Sequence, residues 1–113
     1  MKFTTGASIN MSGLRGYVGT TFKELCEVFG PPDYGPQADM DKTTCEWRLK
    51  FEDGTVASIY DYKTSRTPMM GYEWHIGGYD DRAVELVQEC INMHRDPLVK
   101  AVRDFQPNER VTG

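Results

Sequence analysis

The segment Gly71–Asp81, GYEWHIGGYDD, sets a carboxylate and an imidazole two residues apart, at Glu73 and His75. Residues i and i+2 share one face of an extended strand. Glu73 could therefore orient the His75 ring, and the ring could act as a general base. That chemistry also needs a nucleophile or a bound substrate. The chain has no G-x-S-x-G, no Ser-His-Asp spacing and no acidic dyad in a recognisable context. The competing reading makes Glu73 and His75 the solvated face of a strand, with Gly77-Gly78 as the turn into a helix. The sequence favours this second reading.

Metal and phosphate chemistry are weaker still. Cys26, Cys45 and Cys90 are widely spaced, as are His75 and His94, and there is no C-x-x-C or H-x-x-x-H pair. The cysteines read as reduced thiols packed like small hydrophobes. Gly77-Gly78 before a helix could cradle a phosphate, but Asp80 and Asp81 sit where the anion would bind, and no P-loop lysine follows. No metal and no cofactor is expected.

The aromatic residues carry more information. Six tyrosines, two tryptophans and five phenylalanines make up 12% of the chain, slightly rich for its size. Tyr34, Tyr60, Tyr62 and Tyr72 fall in or beside the inferred loops and hairpin, as does Tyr79. Tyrosine is enriched at protein–protein hot spots, and methionine adapts to irregular surfaces. Tyr34, Tyr60, Tyr62, Arg66, Met69, Met70 and Tyr72 are thus the candidate binding residues. A different use of the same region is a pocket for a nucleotide, with Tyr60 and Tyr62 stacking and Arg48, Lys50 and Arg66 supplying positive charge.

These side chains must be positioned by short elements. Residues 1–13 are either a strand anchored by Phe3 or a loose leader. LRGYV (14–18) reads as a strand weakened by Gly16. Thr21 and Glu24 form a capping-box pattern, and Phe22, Leu25, Cys26 and Phe29 make one face of a helix over 21–29. Gly30 and two prolines end it. Trp47, Leu49 and Phe51 alternate with Glu46, Arg48 and Lys50, the pattern of a half-buried strand.

Asp53-Gly54 turns that strand back, and two registers are open. A two-residue turn pairs Phe51 with Val56 and sends Val56, Tyr60 and Tyr62 inward. A three-residue Glu-Asp-Gly turn with a G1 bulge pairs Phe51 with Thr55 and sends Ala57 and Ile59 inward. YEWHI (72–76) is a third strand of this run, broken by Gly77-Gly78. Asp80 or Asp81 caps a helix through about Met93, with Ala83, Val84, Val87, Cys90 and Ile91 as its stripe. Asp96-Pro97 opens another short helix with Leu98, Val102 and Phe105, and residues 106–113 are a frayed tail.

The element order is β-α-β-β-β-α-α. It predicts an α+β two-layer sandwich, an antiparallel sheet of three to four strands with helices on one face. The 113 residues suit a single domain. A net charge of -4 argues against a nucleic-acid binder, which needs a concentrated basic face. No apolar run approaches the ~20 residues of a membrane span, and no secretory signal is recognised. A cytoplasmic location is expected. The oligomeric state is open.

The string FGPPDYGP, TTCEWRLKFEDGTVASIYDYK, EWHIGG and AVELV, over roughly residues 14–90, resembles a pattern in small uncharacterised proteins of tailed bacteriophages. More loosely, a helix ending in G-x-P before a Trp strand and an F-x-DG hairpin is similar to β-lactamase-inhibitor-like and SmpA-like modules, a likeness of fold alone. The phage resemblance implies no catalytic residues. It implies an accessory protein in the cytoplasm of an infected bacterium, acting by stoichiometric binding to a host or anti-phage defence protein. The alternatives are a sponge for a signalling nucleotide and, last, a small enzyme using Glu73 and His75.

Overall fold

The computed structural model describes residues 2–33, 43–62, 64 and 66–98. Five strands and two helices follow in the order β1 (Phe3–Thr5), β2 (Gly13–Thr20), α1 (Phe22–Phe29), β3 (Glu46–Phe51), β4 (Val56–Tyr60), β5 (Tyr72–Gly78) and α2 (Arg82–Arg95). The strands form one antiparallel sheet in the order β1-β3-β4-β5-β2. Both helices pack on one face of it. The fold is the expected α+β sandwich, with five strands where three to four were predicted. The extra strand is β1, three residues too short to show a period. It is held because Phe3 packs edge-on against Phe29 and Phe51.

The hairpin adopts the bulged register. The Phe51 N–H donates to the Thr55 carbonyl at 2.8 Å, and Gly54 takes a φ of +91°, a conformation that favours glycine. Trp47 then faces Ile59 and Leu49 faces Ala57 across the ladder. All four are fully buried beneath the helices, with Trp74, Ile76, Leu86, Val87 and Ile91. This sends Tyr60 and Tyr62 to the opposite face.

Gly77 and Gly78 do not break the strand; β5 continues through both. They pair with β4 on one side and β2 on the other, and their missing side chains permit close approach. A Cβ on Gly78 would lie 2.7 Å from the Ala83 Cβ, and one on Gly77 2.6 Å from Ser58 Oγ. Glycine therefore lets α2 settle on the sheet and keeps the other face open.

Thr21 caps α1 by accepting the Glu24 N–H at 3.1 Å. The Glu24 side chain does not close the capping box. It reaches Arg95 of α2 instead, at 2.6 Å, and accepts from Thr20 Oγ1. Both helices are thereby tied together at the end of β2. Trp47 Nε1 donates to the Gly30 carbonyl, tying the end of α1 to β3. Asp81 is the N-cap of α2, while the neighbouring Asp80 carboxylate accepts the Arg82 N–H. The helix expected after Asp96 falls mostly outside the described residues, as does the tail.

Because β1 and β2 lie at opposite edges, residues 6–12 must cross the sheet. The span is four inter-strand spacings, roughly 19 Å. Extended, the link would reach roughly 26 Å, so it spans the sheet with slack for the turn in which the Ser12 N–H donates to the Ile9 carbonyl. It crosses the face opposite the helices, where Ile9 and Ser12 lie over Glu46, Ser58 and Tyr60. This crossing explains why Glu46 and Ser58 are buried on a face without helices.

Candidate functional site

Strand pairing sets four residues in a row across the helix-free face. Glu46 lies opposite Tyr60, Tyr60 opposite His75, and His75 opposite Tyr17. Cross-strand neighbours on one face are close enough for their side chains to touch. Here they build an aromatic cluster around the imidazole. The Tyr60 ring stacks on His75 with centroids 5.3 Å apart, and Tyr17 meets it edge-on at 4.9 Å. Tyr62 stands 5.6 Å away and Tyr72 6.4 Å. The Tyr72 hydroxyl accepts the Tyr62 N–H, which fixes these two at the end of the sheet.

Tyr60, Tyr62 and Tyr72, chosen from sequence, are thus brought together, and His75 is their centre. Glu73 shares the face with His75, but no hydrogen bond or ion pair joins the two among the described residues. The His75 Nδ1 atom is buried and has no hydrogen-bond partner among the described residues. Burial holds the imidazole below its ordinary pKa, with Asp61 acting weakly the other way. His75 is a neutral, stacked ring in the middle of a strand.

Tyr17 is the residue that sequence reasoning missed. It is 50% exposed and with Tyr62, 41% exposed, forms the outer part of the cluster. The alternation in LRGYVGT hinted that Tyr17 and Val18 face opposite ways, but the pairing with β5 was not visible. Met69 and Met70 are exposed, at 55% and 80%, in the loop that leads into β5, and Arg66 is exposed in the same loop. Tyr34 lies outside the described residues. Tyr79 stands apart, its hydroxyl donating to the Asn10 carbonyl.

The loop is anchored by Asp61. This fully buried carboxylate accepts from the Thr44 N–H and hydroxyl at 2.7 and 2.6 Å, from the Cys45 N–H, and from the Thr64 hydroxyl. The Thr44 and Thr67 hydroxyls share a further hydrogen bond. The chain on both sides of Tyr62 is pinned to the entry of β3.

The cations suggested for a nucleotide pocket are not gathered into one. Arg48 Nη2 lies 3.3 Å from Glu46 Oε1, and the Lys50 side chain points to solvent. Among the described residues the cavity beside Tyr60 is lined by Glu46 and by no lysine or arginine. The thiols are all free. Burial pushes Cys45 up to about 12 and raises Cys26 and Cys90, so none is activated as a nucleophile. Among the described residues no group of three or more His, Cys, Asp or Glu could hold a metal ion, and no helix is long and apolar enough to cross a membrane.

No family model matches the chain, and neither a curated protein nor a solved structure matches it.

Proposed function

We propose that this protein is a binding module whose helix-free sheet face docks a protein partner, and that it works by occupying the partner's surface. The observation that carries this reading is the tyrosine cluster around His75. Rigid aromatic rings on a sheet lose little side-chain entropy on binding and bury much area. The cluster is backed by fixed strands, its outer rings Tyr17 and Tyr62 are exposed, and the charged residues Arg48, Lys50 and Glu73 share its face of the sheet. An aromatic centre inside a polar rim is the usual anatomy of a protein interface. Met69 and Met70 extend the surface along an adaptable loop.

The phage resemblance gives this reading its setting: an accessory protein that blocks a host or anti-phage defence protein in the infected cell. The enzyme alternative rested on Glu73 orienting His75, and that contact is not formed. The nucleotide alternative rested on three cations beside Tyr60 and Tyr62, and the neighbouring cavity carries a carboxylate instead.

The test is affinity capture from bacterial lysate, with and without prior removal of nucleotides, read by mass spectrometry. The reading expects one protein retained near one-to-one in both preparations. Retention of no protein at a stoichiometric level contradicts it.

A further inference from the structure

β2 is the longer of the two edge strands, and no described element pairs with its outer side. The ladder shows which of its backbone groups are left over. In a strand, the N–H and C=O of one residue turn to the same neighbour, and successive residues alternate. The Phe51 N–H bonds the Thr55 carbonyl, so Leu49 and Trp47 exchange hydrogen bonds with Ala57 and Ile59. Ser58 and Tyr60 then turn to Gly77 and His75 on β5. Trp74 and Ile76 turn the other way, to Val18 and Gly16 on β2. Tyr17 and Gly19 are left with their N–H and C=O groups directed outward. The Arg95 guanidinium marks that direction, reaching the Gly19 carbonyl at 3.2 Å. The other three groups have no partner among the described residues.

A free edge invites another strand, and proteins blunt such edges with lysine, proline, bulges or short length. The opposite edge, β1, is only three residues long. β2 has a bulge between Leu14 and Gly16, but the run Gly16–Thr20 beyond it holds no proline and no charge. Charge stands at its two ends. Arg15 precedes the run, and its guanidinium meets only the Gly78 carbonyl among the described residues. The exposed Glu73 carboxylate lies over Gly19 at the other end, where its Oε2 would be 3.2 Å from a Cβ. Glu73 has no ion-pair partner among the described residues. Between these ends the Tyr17 ring is half exposed on the helix-free face.

We propose that β2 pairs antiparallel with β2 of a second copy of this chain, about a two-fold axis at Val18, so that two sheets join into one. This register sets Tyr17 of each copy opposite Gly19 of the other, and their outward N–H and C=O groups exchange hydrogen bonds. The Gly19 carbonyl can keep Arg95 as well, because it has two lone pairs. Each Tyr17 ring then lies over a residue without a side chain, and its hydroxyl can donate to the Glu73 carboxylate beside that glycine. Charge selects the same arrangement. Antiparallel pairing brings the Arg15 end of one edge to the Glu73 end of the other, whereas parallel pairing would set like charges together. The two-fold keeps both helix-free faces on one side, so the two tyrosine clusters share a surface. This pairing goes beyond the protein-docking reading and does not depend on it.

Sedimentation equilibrium and amide hydrogen exchange of the full chain, from about 1 µM to about 1 mM, test the pairing. The chain is expected to pass from monomer to dimer over that range. The Tyr17 and Gly19 amides should exchange about tenfold or more slowly in the dimer, while those of Val18 and Thr20, already bonded to β5, stay protected throughout. Gly19→Lys places a lysine in the edge, where the flexible end of Glu73 can give way, and should weaken association about tenfold or more. A chain still monomeric at the highest concentration overturns the proposal. So does a dimer whose Tyr17 and Gly19 amides exchange as in the monomer, or a folded Gly19→Lys variant that associates like the wild type. Protection of these two amides only on addition of a protein partner would give the edge to a strand of that partner and overturn self-pairing. If Gly19→Lys does not fold, the exchange pattern of the wild-type chain decides.

Discussion

Tyr60 stacks on His75 across the β4–β5 ladder, with ring planes inclined by 27°. The two residues are direct cross-strand partners, so the contact follows from the sheet register. The bulged turn at Gly54 sets the separate β3–β4 register, and with it the sheet face to which Tyr60 points. A turn at one end of the sheet thus decides whether Tyr60 reaches the histidine's face.

Substitution of the outer tyrosines should separate binding from folding. Tyr17 and Tyr62 are 50% and 41% exposed, so Tyr17→Ser with Tyr62→Ser should leave the thermal midpoint within a few degrees. Partner affinity should fall by about 2 kcal/mol or more, the scale of interface hot spots. Calorimetric melting and a binding titration check both halves. Tyr60→Ala is a different case, because its half-buried ring supports His75 and covers the cavity, and some loss of stability is expected there.

The His75 imidazole should titrate below its ordinary 6.5, as burial in the cluster dictates. The unfolded chain then binds the proton more readily than the folded one. Stability should therefore rise with pH between the depressed folded value and about 6.5. Tyr17→Ala opens one side of the ring and should move the titration back toward the ordinary value. An NMR pH titration of the His75 ring protons reads both.

Glu24 predicts a sensitivity of the same sign in a more acidic window. The hydrogen bond from Arg95 holds its carboxyl down from 4.5 to about 2 against the effect of burial, with help from Thr20 and His94. Its folded pKa lies below the unfolded one. The stabilisation is complete above about pH 4.5 and is lost as pH falls toward 2. In urea melts, Glu24→Gln should lose less stability than the wild type on going from pH 6 to pH 3.

Asp61 should be among the most sensitive polar positions. Asp61→Ala leaves the Thr44 and Cys45 N–H groups and two hydroxyls without their acceptor. A loss of about 3 kcal/mol is expected from buried donors left unsatisfied. Urea unfolding measures it, and a loss under about 1 kcal/mol would show that the loop is held by something else.

Backbone conformation supplies a paired test. Gly54 at a φ of +91° should resist alanine, with Gly54→Ala costing about 1 kcal/mol or more. Met11 takes a φ of +68° while 96% exposed, so its side chain gains nothing from packing. Met11→Gly should relieve the strain and stabilise by up to ~1 kcal/mol. Opposite shifts in urea midpoint are the expected result.

Much of this was legible in the sequence because it is local. The helix over 22–29 announces itself through Thr21, its apolar face and Gly30. The alternation of Trp47, Leu49 and Phe51 identifies which face of β3 is buried. Phe51–Thr55 permits two turns, and only the packing of Ala57 and Ile59 under α2 chooses between them. Gly77-Gly78 look like breakers when read alone. Flanked by β4 and β2, they are places where neighbours approach too closely for a side chain. Tyr17 joins the cluster through a partner far along the chain, and no local pattern carries that pairing. The cavity is less legible still, because it depends on β1 and β2 occupying opposite edges.

The central claim, that the helix-free face is the docking surface, is tested most directly by hydroxyl-radical footprinting of the chain alone and with its captured partner. The account predicts protection of Tyr17, Tyr62, Met69 and Met70, with Met93 on α2 reacting as in the free protein. Protection of Met93 with Tyr17 and Tyr62 unchanged would place the partner on the helical layer and contradict it.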